Sequence, residues 1–203
     1  AQRDDVQGIR GLAIASVLLF HFFPEFFPNG YLGVDIFFVI SGFLIVRILG
    51  RAIEKNDGIS ASIIGNFYFR RLRRIVPLYY LYCLIAMLIF GLHSDFLQID
   101  SAQVSALSAL SFSTNIRALL HKFNYFEQVL TEDLFTHTWS LSVEIQFYLL
   151  IPIIFIMRSV VKPCCSSHTL FAAVFACSLT HHIRSNDRSR FHFLFARLWQ
   201  FLA

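Results

Sequence analysis

Charged side chains are scarce in this sequence: Asp, Glu, Lys and Arg together make up 15% of its 203 residues. A soluble domain usually contains about 25% of them and uses them to cover its surface. Apolar residues instead reach 56%, and the chain contains 24 Phe. The shortage of charge excludes an ordinary soluble domain, and the apolar excess predicts an integral membrane protein embedded in a lipid bilayer.

Motifs for several kinds of chemistry are also missing. The four cysteines include an adjacent pair and one within an apolar run, so they show neither metal-ligand spacing nor a disulfide framework. The sequence has no Gly-rich phosphate loop, no GxSxG motif and no paired metal signature. Its net charge of +4 comes from basic residues clustered between apolar runs, which is not the pattern of a nucleic-acid-binding surface. We therefore predict no metal site and no nucleic-acid partner.

Four apolar segments have about the length that a membrane-spanning helix needs, namely residues 9–23, 33–49, 75–92 and 137–157. Residues 102–120 are rich in Ser and only weakly apolar, so they either cross against other helices or lie along the surface. Residues 168–180 are apolar but short for a span. The sequence predicts an all-α fold, a multispanning transmembrane helical bundle.

The orientation of the bundle follows from its basic residues, because cytoplasmic loops of membrane proteins carry an excess of Lys and Arg. The densest positive charge in the chain is the cluster Arg70, Arg71, Arg73 and Arg74. This cluster is therefore predicted to be cytoplasmic, and the N-terminus, two crossings away, is predicted to lie on the same side. The organelle does not follow from the sequence.

Two polar residues interrupt the first apolar segment, Arg10 near its start and His21 near its end. Eleven residues of an α-helix advance by about 1100°, close to three turns, and rise roughly 16 Å. Both groups therefore face the same side, where a neutral imidazole could act as a general base. The alternative is that Arg10 reaches the cytoplasmic headgroups and His21 bonds a backbone carbonyl. Ionisable groups inside a membrane are more often functional.

The arginine cluster allows two interpretations. Arg71 and Arg74 lie three residues apart, as do Arg70 and Arg73, so each pair projects from adjacent turns of one helix face. Guanidinium groups side by side can hold a diphosphate or a phosphorylated ligand through paired hydrogen bonds. The cluster could equally contact anionic lipid headgroups.

A polar stripe marks the fourth segment, where His137, Ser140, Glu144 and Tyr148 recur on one side of a helix. A carboxylate at the depth of Glu144 is costly unless it is paired, so a cation or an imidazole is expected close to it. His21 and the arginines are the candidates, and a static ion pair is the alternative. Trp139 and Tyr148 are expected to be interfacial anchors. Asp35 lies nearer an interface and could be paired or solvated.

The motifs together resemble those of the acyltransferase-3 family of multispanning membrane O-acyltransferases. The resemblance is carried by Arg10 with ten residues before His21, by GVDIFFVISGFLI at 33–45, by FRRLRRIVPLYY at 69–80 and by HTWSLSVEIQFYLLIP at 137–152. Such proteins move an acyl group, commonly acetyl from acetyl-coenzyme A, onto hydroxyls of carbohydrate or lipid acceptors. The resemblance implies an acyl-coenzyme A co-substrate and no permanently bound cofactor.

Site residues follow from the resemblance position by position. It implies that His21 is the catalytic histidine, with Arg10 as its partner, and that Glu144 is the acidic residue of the site. Arg71 and Arg74 would bind the phosphates of the acyl donor from the cytoplasm. The family motif more often reads EEQFY where this chain has Glu144, Ile145 and Gln146, so a role for a second carboxylate is not expected.

Residues 1–158 are predicted to form the N-terminal part of the family's membrane domain, and 159–203 a divergent or shortened membrane tail. Nothing resembles the SGNH hydrolase domain that some members carry. A family core has around ten spans, so the bundle is expected to be incomplete. Two alternatives to an active enzyme stay open: a truncated, inactive membrane module of the same family, and a small transporter. The acceptor and the acyl chain length do not follow from the sequence.

Overall fold

Every regular element in the described part of the chain is a helix. The computed structural model describes residues 4–93, 99–120, 135–161 and 167–202. Its α-helices are α1 (Asp4–Phe22), α2 (Leu32–Lys55), α3 (Ala61–His93), α4 (Ile99–Leu110), α5 (Thr114–Leu120), α6 (Trp139–Val161), α7 (Ser167–Arg184), α8 (Asp187–His192) and α9 (Leu194–Leu202), and a 3₁₀ turn over Thr136–Thr138 precedes α6. Helices α1, α2 and α3 and the stretch Thr136–Val160 are long and apolar enough to cross a membrane. The predicted all-α membrane bundle is confirmed.

Helix α3 is longer than the sequence predicted. The sequence predicts a span over residues 75–92, with the arginine cluster before it. The structure instead has one helix of 33 residues with Pro77 in its interior. Proline lacks the N–H that would bond the carbonyl of Arg73, but membrane helices tolerate this break when neighbouring groups compensate. The arginine cluster therefore lies on the same rigid helix as the span.

The Ser-rich segment does not form a single crossing helix. It divides into α4 and α5 at a turn around Phe112, whose φ of 51° lies in the left-handed region. The 12 residues of α4 rise about 18 Å, short of the roughly 30 Å hydrocarbon core. Tyr79 and Tyr80 of α3 donate to the carbonyls of Ala109 and Leu110 at 2.9 and 3.2 Å, so α4 packs alongside α3.

Small residues allow the closest helix contacts around the second span. A Cβ atom on Gly42 would clash with the backbone of Phe201 in α9, and one on Gly33 would lie 2.5 Å from the carbonyl oxygen of Ala13 in α1. Phe201 also stacks on Phe147 of α6, with ring centroids 4.1 Å apart. Helix α2 therefore packs against α1, α6 and α9.

The aromatic rings at the start of α6 belong to this core. Trp139 and Tyr148 are 4% and 6% exposed, so the expectation that they anchor the bundle at the interface is wrong. Trp139 meets the edges of Phe38 and His192, with centroids 6.2 and 5.0 Å away. The helix turns both rings inward, where neighbouring helices cover them.

The last part of the chain forms three helices. The apolar stretch 168–180 continues as helix through Arg184, which gives α7 18 residues. Helix α9 packs against α7 and α2, and it buries Ala196, Leu198 and Phe201. The division of the family domain at residues 158 and 159 stays a prediction.

Candidate functional site

A cavity of about 340 Å³ lies between α1, α2 and α6. Arg10 of α1, Ser41 of α2, and Ser140 and Glu144 of α6 supply its polar lining. The rest of its wall is apolar and comes from Ile14, Val17, Leu18, Val34, Phe37, Phe38 and Leu141. The structure thus brings together two of the predicted site residues, Arg10 and Glu144, although their helices are far apart in sequence.

Glu144 is held by hydroxyl groups. Ser41 Oγ donates to its Oε1 at 2.5 Å, and the hydroxyl of Tyr148, one turn further along α6, makes a short hydrogen bond to the same oxygen. The side chain is only partly buried and faces the cavity. A cation or an imidazole was expected close to Glu144; Arg71 is the cation that interacts with it electrostatically, while the direct hydrogen bonds come from two neutral hydroxyls.

Arg71 is the arginine of the cluster that turns toward this site. Its guanidinium is half-buried and interacts electrostatically with Tyr148, Glu144, Arg74 and Arg10. Arg70, Arg73 and Arg74 are exposed. Arg71 and Arg74, which were expected to act together, therefore differ in exposure. Arg71 is half-buried and faces Glu144, whereas Arg74, one turn further along α3, is exposed.

His21 lies at the end of α1 and outside the set of residues that line the cavity. Its Nδ1 is 2.8 Å from the carbonyl oxygen of Val17, as the structural alternative predicted. Its Nε2 is 3.4 Å from Nδ1 of His137, which was expected on the polar stripe of the fourth segment. His137 instead lies in the 3₁₀ turn before α6, and Ser140, Glu144 and Tyr148 remain on the helix. The imidazole partner of His21 was not anticipated.

A second polar cluster lies deeper in the bundle. Asp35 of α2 forms an ion pair with Arg197 of α9, so Asp35 is paired; the side chain of Arg197 is 3% exposed and that of Asp35 is 30% exposed. Arg197 also donates from Nε to the Phe191 carbonyl at 2.7 Å and from Nη1 to Gln200 at 3.0 Å. Its guanidinium carbon lies 5.3–5.4 Å from the ring centroids of Phe38, Trp139 and Phe191. Every side of this cation is occupied by the protein.

His182 of α7 lies beside this cluster. Its Nδ1 is 3.0 Å from the carbonyl oxygen of Ala196, and its ring meets Trp199 with centroids 5.6 Å apart. Burial lowers the pKa of His182 below its usual 6.5, because the charged imidazolium loses hydration, and the nearby Arg197 and Arg190 add to this shift. The Ala196 carbonyl and Asp35 oppose it. The outcome favours a neutral ring.

Polar side chains that the sequence did not single out join α5 to α6. Asn115 and Gln146 exchange two hydrogen bonds, of 3.0 and 2.8 Å. Thr114 contacts the hydroxyls of Thr138 and Ser142 at 2.9 and 2.7 Å, all three being buried. Gln146, which follows Glu144 in the family-like motif, thus has a structural role. Within the described ranges, no three His, Cys, Asp or Glu side chains are grouped to hold a metal ion.

Comparison with known proteins agrees with this arrangement of motifs. Residues 3–202 match the family described as an acyltransferase domain. The chain is 35% identical to BcsY of Komagataeibacter xylinus, named as a membrane-bound transacylase, over 98% of this chain and 49% of BcsY. It is 32% identical to the peptidoglycan O-acetyltransferase OatA of Listeria monocytogenes, over 72% of this chain and 23% of OatA.

A protein of Staphylococcus aureus named as an O-acetyltransferase is 30% identical over 74% of this chain and 24% of its own length. The chain thus spans about half the length of BcsY and about a quarter of the other two relatives. No solved structure matches. The family match covers nearly the whole chain and confirms the resemblance seen in the motifs. The chain belongs to the acyltransferase-3 family of membrane proteins.

Proposed function

We propose that this chain acts as a membrane O-acyltransferase, which moves an acyl group, acetyl in the first instance, from acyl-coenzyme A to a hydroxyl of a carbohydrate or lipid acceptor. The observation that carries the proposal is the cavity between α1, α2 and α6. Arg10 and Glu144 face it, and Arg71 lies within electrostatic reach of both. His21 follows one turn after Val17 and Leu18, which line its wall.

His21 is the proposed general base. The carbonyl of Val17 can only accept a hydrogen bond, so a neutral His21 ring carries its proton on Nδ1 and its lone pair on Nε2. Nε2 can then take the proton of an acceptor hydroxyl as the oxygen attacks the acyl carbon. The C–S bond of the thioester breaks, its electron pair goes to sulfur, and the proton passes from His21 to the thiolate. A route through an acyl-histidine intermediate is the alternative, which kinetics of partial reactions would separate.

Arg10 and Glu144 are proposed to set the electrostatic field of the cavity. An arginine in a water-poor site can stabilise the negative oxygen of a tetrahedral intermediate, as preorganised donors do in other acyl transfers. Glu144 balances the positive charge of Arg10 and Arg71, and its two hydroxyl donors fix its direction.

Arg71 and Arg74 are proposed to hold the phosphates of the donor. They lie three residues apart on α3, Arg71 half-buried beside the site and Arg74 exposed, so a phosphorylated ligand that reaches both would lie at the edge of the site. The cluster and the N-terminus are proposed to be cytoplasmic, where acyl-coenzyme A is made. OatA is named for acetylation of peptidoglycan, which supports a carbohydrate as one acceptor class.

The test is acetyl transfer from radiolabelled acetyl-coenzyme A by the chain in proteoliposomes. His21→Ala is expected to abolish transfer, and equal transfer by wild type and His21→Ala would remove His21 from the mechanism.

A second experiment measures the affinity for coenzyme A. It compares the double variant Arg71→Ala/Arg74→Ala with the control Arg70→Ala/Arg73→Ala, whose residues are also on α3. Weakening by the first pair alone supports donor binding. Equal affinities would favour the transporter or an inactive module.

A further inference from the structure

His21 and His137 form a pair of histidines, of which the proposed function uses only His21. His21 ends α1, His137 precedes α6, and their facing nitrogens are 3.4 Å apart. Their ring centroids are 4.8 Å apart and the ring planes meet at 71°. Both side chains are exposed. The fold thus brings two imidazoles from distant parts of the chain into a T-shaped contact at a surface that a ligand can reach.

The proton positions in this pair follow from the Val17 contact. With Nδ1 of His21 donating to that carbonyl, the His21 nitrogen that faces His137 is a lone-pair acceptor. His137 then meets it with a protonated Nδ1, because two lone pairs would repel. The pair therefore presents one acceptor and one donor side by side. The N···N distance is longer than the usual 2.7–3.2 Å of a direct hydrogen bond.

A hydroxyl group has the complementary pattern, since it donates one hydrogen bond and accepts through its oxygen. We propose that the acceptor hydroxyl binds between His21 Nε2 and His137 Nδ1, so that His137 is a second catalytic residue on the acceptor side. This inference rests on the proposed function. A hydroxyl oxygen about 2.8 Å from both nitrogens, with a near-tetrahedral angle, requires the rings to part by about 1 Å. Exposed side chains can make such a movement.

The step balances with His137 unchanged. The O–H bond of the acceptor breaks, its proton goes to His21 Nε2, and the electron pair of the oxygen forms the bond to the acyl carbon. The thioester C–S bond breaks toward sulfur, and the proton on His21 then neutralises the thiolate. Throughout, the His137 Nδ1–H keeps the oxygen in place and points its lone pair at the acyl carbon. Attack by a hydroxyl held in this way is favoured over attack by water.

Substitutions of His137 can separate this role from packing. The amide nitrogen of Asn lies near the position of Nδ1, whereas that of Gln lies near the position of Nε2. His137→Asn is therefore expected to keep the donor that faces His21, and His137→Gln to lose it. His137→Phe keeps a ring of similar shape without a donor. If His137 only packs against its neighbours, His137→Phe should lower acetyl transfer least, and His137→Asn should lower it more.

The first measurement needs no enzymatic activity. Chains with ¹⁵N-labelled histidine in proteoliposomes report the protonation of each ring nitrogen of His21. We expect the Nε2 signal of His21 to be the same in wild type and His137→Asn, and to move in His137→Gln and His137→Phe. An identical Nε2 signal in all four chains would show that the two rings do not interact, and would overturn the proposal.

The second measurement compares acetyl transfer to methyl β-D-glucoside, as a soluble hydroxyl probe, with hydrolysis of acetyl-coenzyme A. We expect His137→Phe and His137→Gln to lower transfer about a hundredfold, as loss of one oxyanion donor does elsewhere, while hydrolysis continues and the KM for acetyl-coenzyme A is unchanged. His21→Ala should lose both reactions. Transfer by His137→Phe above that of His137→Asn would overturn the proposal. A wild type that neither transfers nor hydrolyses rejects the proposed function, and the ring-nitrogen signals still decide whether the pair exists.

Discussion

Asp35 and Glu144 both lie within membrane-spanning helices of this protein, and the surroundings of their carboxylates differ. Asp35 is paired with Arg197, a cation enclosed by three aromatic rings, a backbone carbonyl and Gln200. Glu144 is held by two hydroxyls and faces a cavity. The first arrangement pairs the carboxylate with a buried cation that the protein surrounds. The second fixes the carboxylate and leaves one side open, as expected of a reactive site.

The largest effect on stability is expected at the Asp35–Arg197 pair. Arg197→Ala is expected to destabilise the bundle by up to about 3 kcal/mol, because the contacts of a buried guanidinium are lost and the partly exposed Asp35 loses its cation. The measurement is unfolding by denaturant in detergent micelles. The double variant Asp35→Asn/Arg197→Gln should recover part of the loss, since no lone charge remains. A loss below about 1 kcal/mol for Arg197→Ala would show that the pair is not structural.

A smaller effect is expected at the open site. Tyr148→Phe removes one of two donors to Glu144 and should cost about 1 kcal/mol of stability, the usual net value of a hydrogen bond. It should also lower acetyl transfer, because the carboxylate is less well directed. Tyr68→Phe is the matched control, since its hydroxyl donates to the Leu149 carbonyl at 3.1 Å on another side of α6. Equal acetyl transfer by Tyr148→Phe and Tyr68→Phe would show that the Tyr148 hydroxyl has no role in the reaction.

The smallest expected effect is a pH dependence of stability that comes from His182, which lies beside the Asp35–Arg197 pair. The pKa of His182 is lower in the folded chain than its usual 6.5, so the unfolded chain binds a proton more readily. Stability should therefore be fully present above pH 6.5 and should fall as the pH drops through this value toward the folded pKa. Unfolding at pH 7.5 and 5.5 measures it. His182→Gln should reduce the difference between the two pH values, and an unchanged difference would exclude His182 as its source.

Local patterns in the sequence predicted much of this fold. Length and hydropathy located the spans, and the spacing of Ser140, Glu144 and Tyr148 placed them on one helix face. The need of Glu144 for partners also followed, because a lone carboxylate in an apolar segment is costly. The paired residue of Asp35 could not be found in this way, since Arg197 is 162 positions away and no local rule connects them.

Two further features depended on tertiary packing. The span predicted from residue 75 is instead part of a helix that begins at Ala61 and continues through Pro77, which membrane helices tolerate when neighbouring groups compensate. Likewise, His137 was read as part of the α6 stripe. The 3₁₀ turn before α6 instead brings it to His21. The spacing of residues within one segment does not predict which residues of two different segments will contact each other.

The most direct test is to compare acetyl transfer by Glu144→Gln and by wild type in proteoliposomes. Unfolding by denaturant is measured for both chains as the control for stability. The amide can still accept from Ser41 and Tyr148 through its oxygen, so stability should change by less than about 1 kcal/mol. Transfer from acetyl-coenzyme A is expected to fall by at least about tenfold, because the charge that balances Arg10 and Arg71 is lost. Transfer equal to that of wild type would contradict the claim that Glu144 belongs to the reactive site.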